Sequence, residues 1–188
     1  DQSVSIDELK GNFGIQPDES LEEYLNRKHA DLINKVKNIN PSLNITIDET
    51  ISTQYYRGTN TVNISFTQLA SLIDQFGIPP MELFQYVIEH ELTHAVQVPA
   101  ILQDQNLANT LNKMLDRVRK IHETHEFIDG KRGGETLNGV PIALTDIYEF
   151  AAEASTNPFF IEYLKQIKNE ETSFFDRIIN FFRKLIGL

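Results

Sequence analysis

Two histidines and a glutamate form the most specific chemical motif in this sequence. His90, Glu91 and His94 belong to the pentapeptide HELTH, which fits the pattern HExxH. Residues four apart on a helix lie on one face, so the two imidazoles can bind a single zinc ion. Glu91 lies on the adjoining part of that face, where a carboxylate can take a proton from metal-bound water. The motif therefore predicts metal-assisted hydrolysis with Glu91 as the general base.

The residues around the motif favour this prediction over a chance match. An HExxH pattern occurs by chance in many unrelated proteins. Here it lies in a predicted apolar helix that follows a strand hairpin, and Ala95, Val96 and Val98 continue the apolar run. The alternative interpretation is a pair of buried histidines that only complete a core.

An acidic cluster further along the chain can supply the third protein ligand that catalytic zinc sites use. Glu149 and Glu153 stand four residues apart in the hexapeptide EFAAEA, on a predicted helix whose alanines permit close helix packing. Like charges at this spacing repel, which suggests a cation beside them. Without a cation, Glu149 would complete a capping box with Asp146 and Glu153 would be solvated.

The pairing of HELTH at 90–94 with EFAAEA at 149–154 resembles the gluzincin type of zinc metallopeptidase. EFAAEA followed by STNPF at 155–159 is similar to the metallopeptidase-like domains in large polyvalent proteins of bacteriophages and mobile elements. A related hexapeptide occurs in the catalytic domain of anthrax lethal factor. The resemblance spans about residues 60–188 and implies a zincin-like fold.

The resemblance also implies a role for each site residue. His90, His94 and Glu149 would bind one Zn²⁺ ion, and Glu91 would be the general base. Glu153 would orient a ligand histidine from behind. The reverse assignment, with Glu153 as the ligand and Glu149 in support, stays open.

One position departs from the resemblance. Lethal factor has a tyrosine upstream of its ligand glutamate that stabilises the oxyanion, and the matching residue here is Ile142. Tyr148, His122 and His125 are candidates to replace it, and the sequence does not choose between them. Loss of an oxyanion donor typically lowers the rate about 10²-fold or more.

Local signals define the elements that must position these residues. A capping box at Ser20 begins an amphipathic helix that ends at Asn40, and alternating apolar residues over 43–66 predict two or three antiparallel strands. A further helix is predicted over 68–76 with Gly77 as its C-cap, and the next one begins at Pro79 and contains the HExxH motif. The remaining helices are predicted over about 105–125, 145–155 and 158–168, and from 172 or 173 onward.

These elements predict one mostly helical α+β domain over residues 1–188, with a small, mainly antiparallel sheet beside the HExxH helix, and the resemblance implies that this domain is zincin-like. It divides into an N-terminal helical part over 1–42, the sheet and HExxH helix over 43–98, and a helical part with the third-ligand helix over 99–188.

The amino-acid composition disfavours several kinds of binding partner and site. Seventeen Lys and Arg against 27 Asp and Glu give a net charge of −10, which disfavours nucleic acid and anionic membranes as partners. The absence of cysteine excludes a thiolate nucleophile and a cysteine-based zinc site. The sequence contains no signal-peptide or membrane-span pattern, which predicts an intracellular or virion-associated protein.

Together these observations predict a zinc endopeptidase that acts on protein or peptide substrates, and the resemblance implies that it is part of a larger phage-type polyprotein or assembly. Self-processing and cleavage of host proteins are both compatible with the sequence. The resemblance implies that the substrate pairs with an edge strand, either 62–66 or 54–57. The alternative is a catalytically weak or inactive zincin scaffold that serves as a structural or packaged module.

Overall fold

The computed structural model describes residues 5–124, 136–137, 139–167, 176 and 180. Over these residues the fold is α+β and mostly helical, with a three-stranded sheet and a two-stranded hairpin. The chain divides into two compact units, residues 1–95 and 96–188, and the boundary falls within the helix that carries the HExxH motif.

The first unit begins with three helices: α1 (Ile6–Asn12), α2 (Leu21–Lys28) and α3 (Ala30–Ile39). The predicted capping box is present, because Ser20 Oγ accepts from the Glu23 amide and the Glu23 carboxylate accepts from the Ser20 amide. The single helix expected up to Asn40 is instead two helices, since the backbone leaves the helical region at His29, where φ is −136°. Helix α1, which has Ser5 as its N-cap, was not predicted from the sequence.

The sheet contains β1 (Asn44–Ile47), β2 (Gln54–Tyr56) and β3 (Thr61–Ile64), in the order β1-β3-β2. Strands β2 and β3 form an antiparallel hairpin, as expected, but β1 pairs with β3 in parallel. The prediction of an antiparallel arrangement is therefore wrong for β1, because the hairpin presents β3 rather than β2 to it. Strand β3 is paired on both sides, so residues 62–64 offer no free edge, whereas β2 lies at an edge.

Helix α4 (Phe66–Phe76) follows β3 and ends at Gly77, whose φ of 65° is the left-handed conformation expected at this C-cap. Its first turn is capped twice. Ser65 Oγ accepts from the Gln68 amide, and Glu49 accepts from Ser65 Oγ and from the amides of Phe66 and Thr67 at 2.7 to 3.1 Å.

Helix α5 (Pro80–Gln103) carries the HExxH motif and is fixed near its start by aromatic packing. The Phe84 ring contacts the rings of Phe13, Tyr24 and Phe66, with centroids 5.1 to 5.9 Å apart. Phe13, Phe66 and Phe84 are each at most 1% exposed. This cluster anchors the N-terminal half of α5 in the core of the first unit.

The second unit contains the end of α5, then α6 (Gln105–His122), β4 (Thr136–Leu137), β5 (Val140–Pro141), a 3₁₀ turn (Ile142–Leu144), α7 (Ile147–Thr156) and α8 (Pro158–Gln166). Its core draws apolar side chains from all four helices and the turn, among them Ile101, Leu111, Leu115, Leu144, Phe150 and Phe160. Asp146 caps α7 by accepting from the amides of Tyr148 and Glu149.

The junction between α7 and α8 matches its prediction, because Asn157 Oδ1 accepts from the Phe159 amide and Pro158 occupies the first turn of α8. The helix predicted from residue 172 or 173 onward lies outside the described residues, apart from positions 176 and 180. Among the helices that the structure describes, none combines the length and apolar character that crossing a membrane requires.

Candidate metal centre

The two motif histidines converge on one face of α5. Their Nε2 atoms are 3.0 Å apart, and the ring planes are nearly perpendicular at 87°, with centroids separated by 4.6 Å. This arrangement follows from the helical repeat, which brings residues 90 and 94 into line one turn apart. The two Nε2 atoms therefore lie next to each other on this face.

The motif lies in the protein interior. His90 is 0% exposed, and Glu91 and His94 are each 6% exposed. Leu92 and Ala95, which continue the same helix, are fully buried. A solvated helix face, the usual setting of a chance match, is therefore excluded for these residues.

A separation of 3.0 Å fits two arrangements of a histidine pair. Tetrahedral zinc with Zn–N bonds of about 2.0–2.1 Å places two ligand nitrogens roughly 3.3 Å apart. A direct hydrogen bond from one neutral imidazole to the other has a nitrogen separation of about 3.0 Å. The surrounding donors decide which arrangement the chemistry favours.

A carboxylate completes a set of three possible ligands. One oxygen of Glu149 and one ring nitrogen from each of His90 and His94 all lie within 4.8 Å of one another. Glu149 is half-buried and follows the Asp146 cap in the first turn of α7. Two imidazoles and one carboxylate are a donor set that catalytic zinc sites use, with a fourth position left for water. The residues present therefore fit a zinc ion.

The second glutamate of α7 has a different environment. Glu153 is 0% exposed, and its Oε2 accepts from Asn157 Nδ2 at 2.6 Å. The alternative in which Glu153 is a solvated residue is therefore wrong. Asn157 follows the last residue of α7 and lies four residues after Glu153, a spacing that favours this bond.

The Glu91 carboxylate is hydrogen-bonded to the three-stranded sheet. Its Oε2 accepts from the main-chain N–H of Tyr55 in β2 at 2.8 Å. Because the N–H groups along a strand alternate in direction, this contact uses the outer edge of β2, away from β3. A main-chain donor leaves no trace in the sequence, so this contact could not be found there.

Gln97 is a further buried polar residue that the sequence analysis missed. It lies three residues after His94 and is 0% exposed. Its Nε2 donates to Ser155 Oγ at 2.9 Å, and Ser155 Oγ donates to the Ala151 carbonyl at 2.7 Å. The C-terminal part of α5 is thus hydrogen-bonded to α7, the helix that carries Glu149.

The structure describes two of the three candidates for oxyanion stabilisation, and these two lie on different helices. Tyr148 is half-buried and packs against the core of the second unit. His122 is the last residue of α6 and lies beside Leu137 and Val140 at a surface cavity. His125 lies outside the described residues. The oxyanion role of each stays a prediction.

The chain matches no protein-family model, no curated protein and no solved structure. The functional assignment therefore depends on these side chains and their geometry.

Proposed function

We propose that this chain is a zinc-dependent endopeptidase of the gluzincin type, in which His90, His94 and Glu149 hold one zinc ion. The observation that carries the proposal is the convergence of two imidazole Nε2 atoms 3.0 Å apart, with a Glu149 oxygen within 4.8 Å. The adjoining, buried Glu91 supplies the base that hydrolysis requires.

The chemistry divides between the metal and the chain. Zinc bound by these residues would polarise a scissile carbonyl and lower the pKa of its bound water to about 7. The Glu91 carboxylate takes the proton of the attacking water and passes it to the leaving amine. Glu91 suits this role because Tyr55 fixes one carboxylate oxygen and leaves the other, Oε1, to accept the proton.

A protein or peptide is the substrate class that we propose. Strand β2 lies at a sheet edge, where an extended peptide can add main-chain hydrogen bonds. The N–H of Tyr55 is already used by Glu91, so a peptide on this edge would pair with the Tyr55 carbonyl. We extend the proposal to a phage-type polyvalent protein, supported by the resemblance of residues 149–159.

Metal content of the purified chain tests the proposal. We expect about one zinc per chain in the wild type by elemental analysis, and a large loss in His94→Ala and Glu149→Ala. The matched control is Glu162→Ala, which removes a glutamate on α8 whose side chain is 61% exposed and should leave zinc bound. Wild type without zinc, even after supplementation, would refute the peptidase proposal and leave the chain as a structural module.

Cleavage of unfolded protein substrates then tests whether Glu91 is the general base. Glu91→Ala should retain zinc and lose cleavage, because the ligand set stays intact while the proton acceptor is removed. Cleavage at the wild-type rate by zinc-loaded Glu91→Ala would exclude Glu91 as the base.

A further inference from the structure

A proline removes one hydrogen bond from α5 just past the motif. In an α-helix the N–H of each residue donates to the carbonyl four residues earlier, and proline has no N–H. Pro99 lies inside α5, so the carbonyl of Ala95 lacks its helical donor. Asn40 Nδ2 donates to that carbonyl at 3.0 Å. A side chain from the end of α3 thus replaces the missing helical bond.

Asn40 is itself held by a second asparagine. Its Nδ2 donates to Asn60 Oδ1, and Asn60 Nδ2 donates back to Asn40 Oδ1, both at 2.8 Å. Asn60 lies in the turn between β2 and β3 with φ of 48°, a left-handed conformation that asparagine tolerates better than most residues. The paired amides therefore tie this turn to α3 and, through Ala95, to α5.

Tyr55 closes the connection back to the motif. Its hydroxyl donates to Asn60 Oδ1 at 3.0 Å, and its main-chain N–H donates to Glu91 Oε2 at 2.8 Å. Burial raises the pKa of the Tyr55 hydroxyl, against a smaller lowering by Asn40, so the hydroxyl stays protonated at neutral pH. The chain of bonds leaves α5 at Ala95 and returns to it at Glu91, one helical turn earlier.

We propose that this hydrogen-bonded ring, formed by Ala95, Asn40, Asn60, Tyr55 and Glu91, positions the Glu91 carboxylate for proton transfer. The proposal deepens the peptidase function proposed above and depends on it. Asn40 and Asn60 are positioning residues, since they act on Glu91 through Tyr55 and through Ala95 of α5. A carboxylate held in one orientation avoids the ordering cost that a freely rotating one carries into the transition state.

Amide hydrogen exchange, followed by NMR on the full chain, tests the ring without a substrate. We expect the Tyr55 amide to exchange at least tenfold faster in Glu91→Ala and in Asn40→Ala than in the wild type. Exchange of the Leu69 amide, bonded to the Ser65 carbonyl in α4, serves as the internal reference for global stability. Asn44→Ala, which removes an exposed asparagine at the start of β1, is the control and should leave Tyr55 unchanged.

Asn60→Gly provides a second variant in case Asn40→Ala does not fold. Glycine adopts positive φ readily, so this change preserves the turn while removing the amide that joins Asn40 to Tyr55. It should also accelerate Tyr55 exchange at least tenfold relative to Leu69. Unchanged exchange at Tyr55 in the variants that fold would overturn the proposal.

Measurements of kcat, KM and zinc content distinguish a positioning role of Asn60 from a general structural role. Asn60→Gly should lower kcat about tenfold, keep KM within twofold and retain wild-type zinc content. Zinc loss in Asn60→Gly would overturn the positioning role, because the ring would then support the ligand set as a whole. Wild type without zinc would refute the proposed function but leave the exchange result unaffected, so the two failures can be told apart.

Discussion

Isosteric substitution of the two glutamates of α7 should separate the ligand from its neighbour. Glu149→Gln and Glu153→Gln each remove one negative charge, four residues apart on the same helix, so each is a matched control for the other. Glu149 offers the carboxylate oxygen within 4.8 Å of the histidine nitrogens, whereas Glu153 is fully buried and accepts from Asn157 at 2.6 Å. The two changes should therefore affect different properties.

For Glu149→Gln we expect zinc affinity to fall more than 100-fold, because a neutral amide oxygen replaces a charged ligand. For Glu153→Gln we expect a loss of about 10- to 100-fold in affinity, typical of a residue that supports a ligand.

Glu153→Gln should also lower the metal-free stability by about 1 kcal/mol. The bond from Asn157 Nδ2 is charge-assisted in the wild type and becomes neutral in the variant. For a chain of this size that corresponds to a fall in Tm of about 2–4 °C. The assays are competition with a chromophoric chelator for zinc affinity and thermal unfolding of the metal-free protein. If Glu153→Gln weakens zinc binding more than Glu149→Gln does, Glu153 is the ligand and the assignment made here is wrong.

Three further outcomes follow from the structure. Zinc-loaded Glu91→Gln, which keeps the shape of the side chain, should lose at least about 10²-fold in kcat with KM little changed, measured by peptide cleavage; a loss confined to KM would contradict the role as base. Burial alone would raise the pKa of Glu49, but hydrogen bonds from Ser65, Thr67 and Phe66 outweigh it and hold the pKa below its ordinary value. The stabilisation that Glu49 provides is therefore present above its unfolded pKa of about 4.3 and is lost as the pH falls through the lower folded value, so urea unfolding of wild type and Glu49→Gln should differ at pH 7 and converge once the pH lies below the folded pKa. Phe84→Ala should cost about 3–5 kcal/mol in urea unfolding, because it empties the centre of the aromatic cluster; a cost below 1 kcal/mol would show that the site collapses.

The features of the fold that the sequence predicts correctly are those set by neighbouring residues. The capping box at Ser20, the left-handed C-cap at Gly77 and the start of α8 at Pro158 each depend on a few consecutive side chains. The parallel pairing of β1 with β3 and the break at His29 depend on which segments meet in space. Apolar alternation predicts a strand but not its partner, so the local pattern could not distinguish these outcomes.

The candidate site likewise combines features that local sequence predicts with contacts that depend on the tertiary structure. The spacing of His90 and His94 is a property of one helix, so the sequence alone can place both imidazoles on one face. The bond from Tyr55 to Glu91 joins residues 36 positions apart and uses a main-chain group that every residue except proline possesses.

Pro99 shows how a long-range contact could still have been sought in the sequence. A proline inside a predicted helix implies an unpaired carbonyl four residues earlier, and a buried carbonyl requires a donor from elsewhere. The sequence therefore predicts that Ala95 needs a partner, although only the structure identifies it as Asn40. Ala95, whose carbonyl lacks its helical donor, is the residue that follows His94. The hydrogen bond from Asn40 to this carbonyl therefore attaches the end of α3 to the helix that carries the motif.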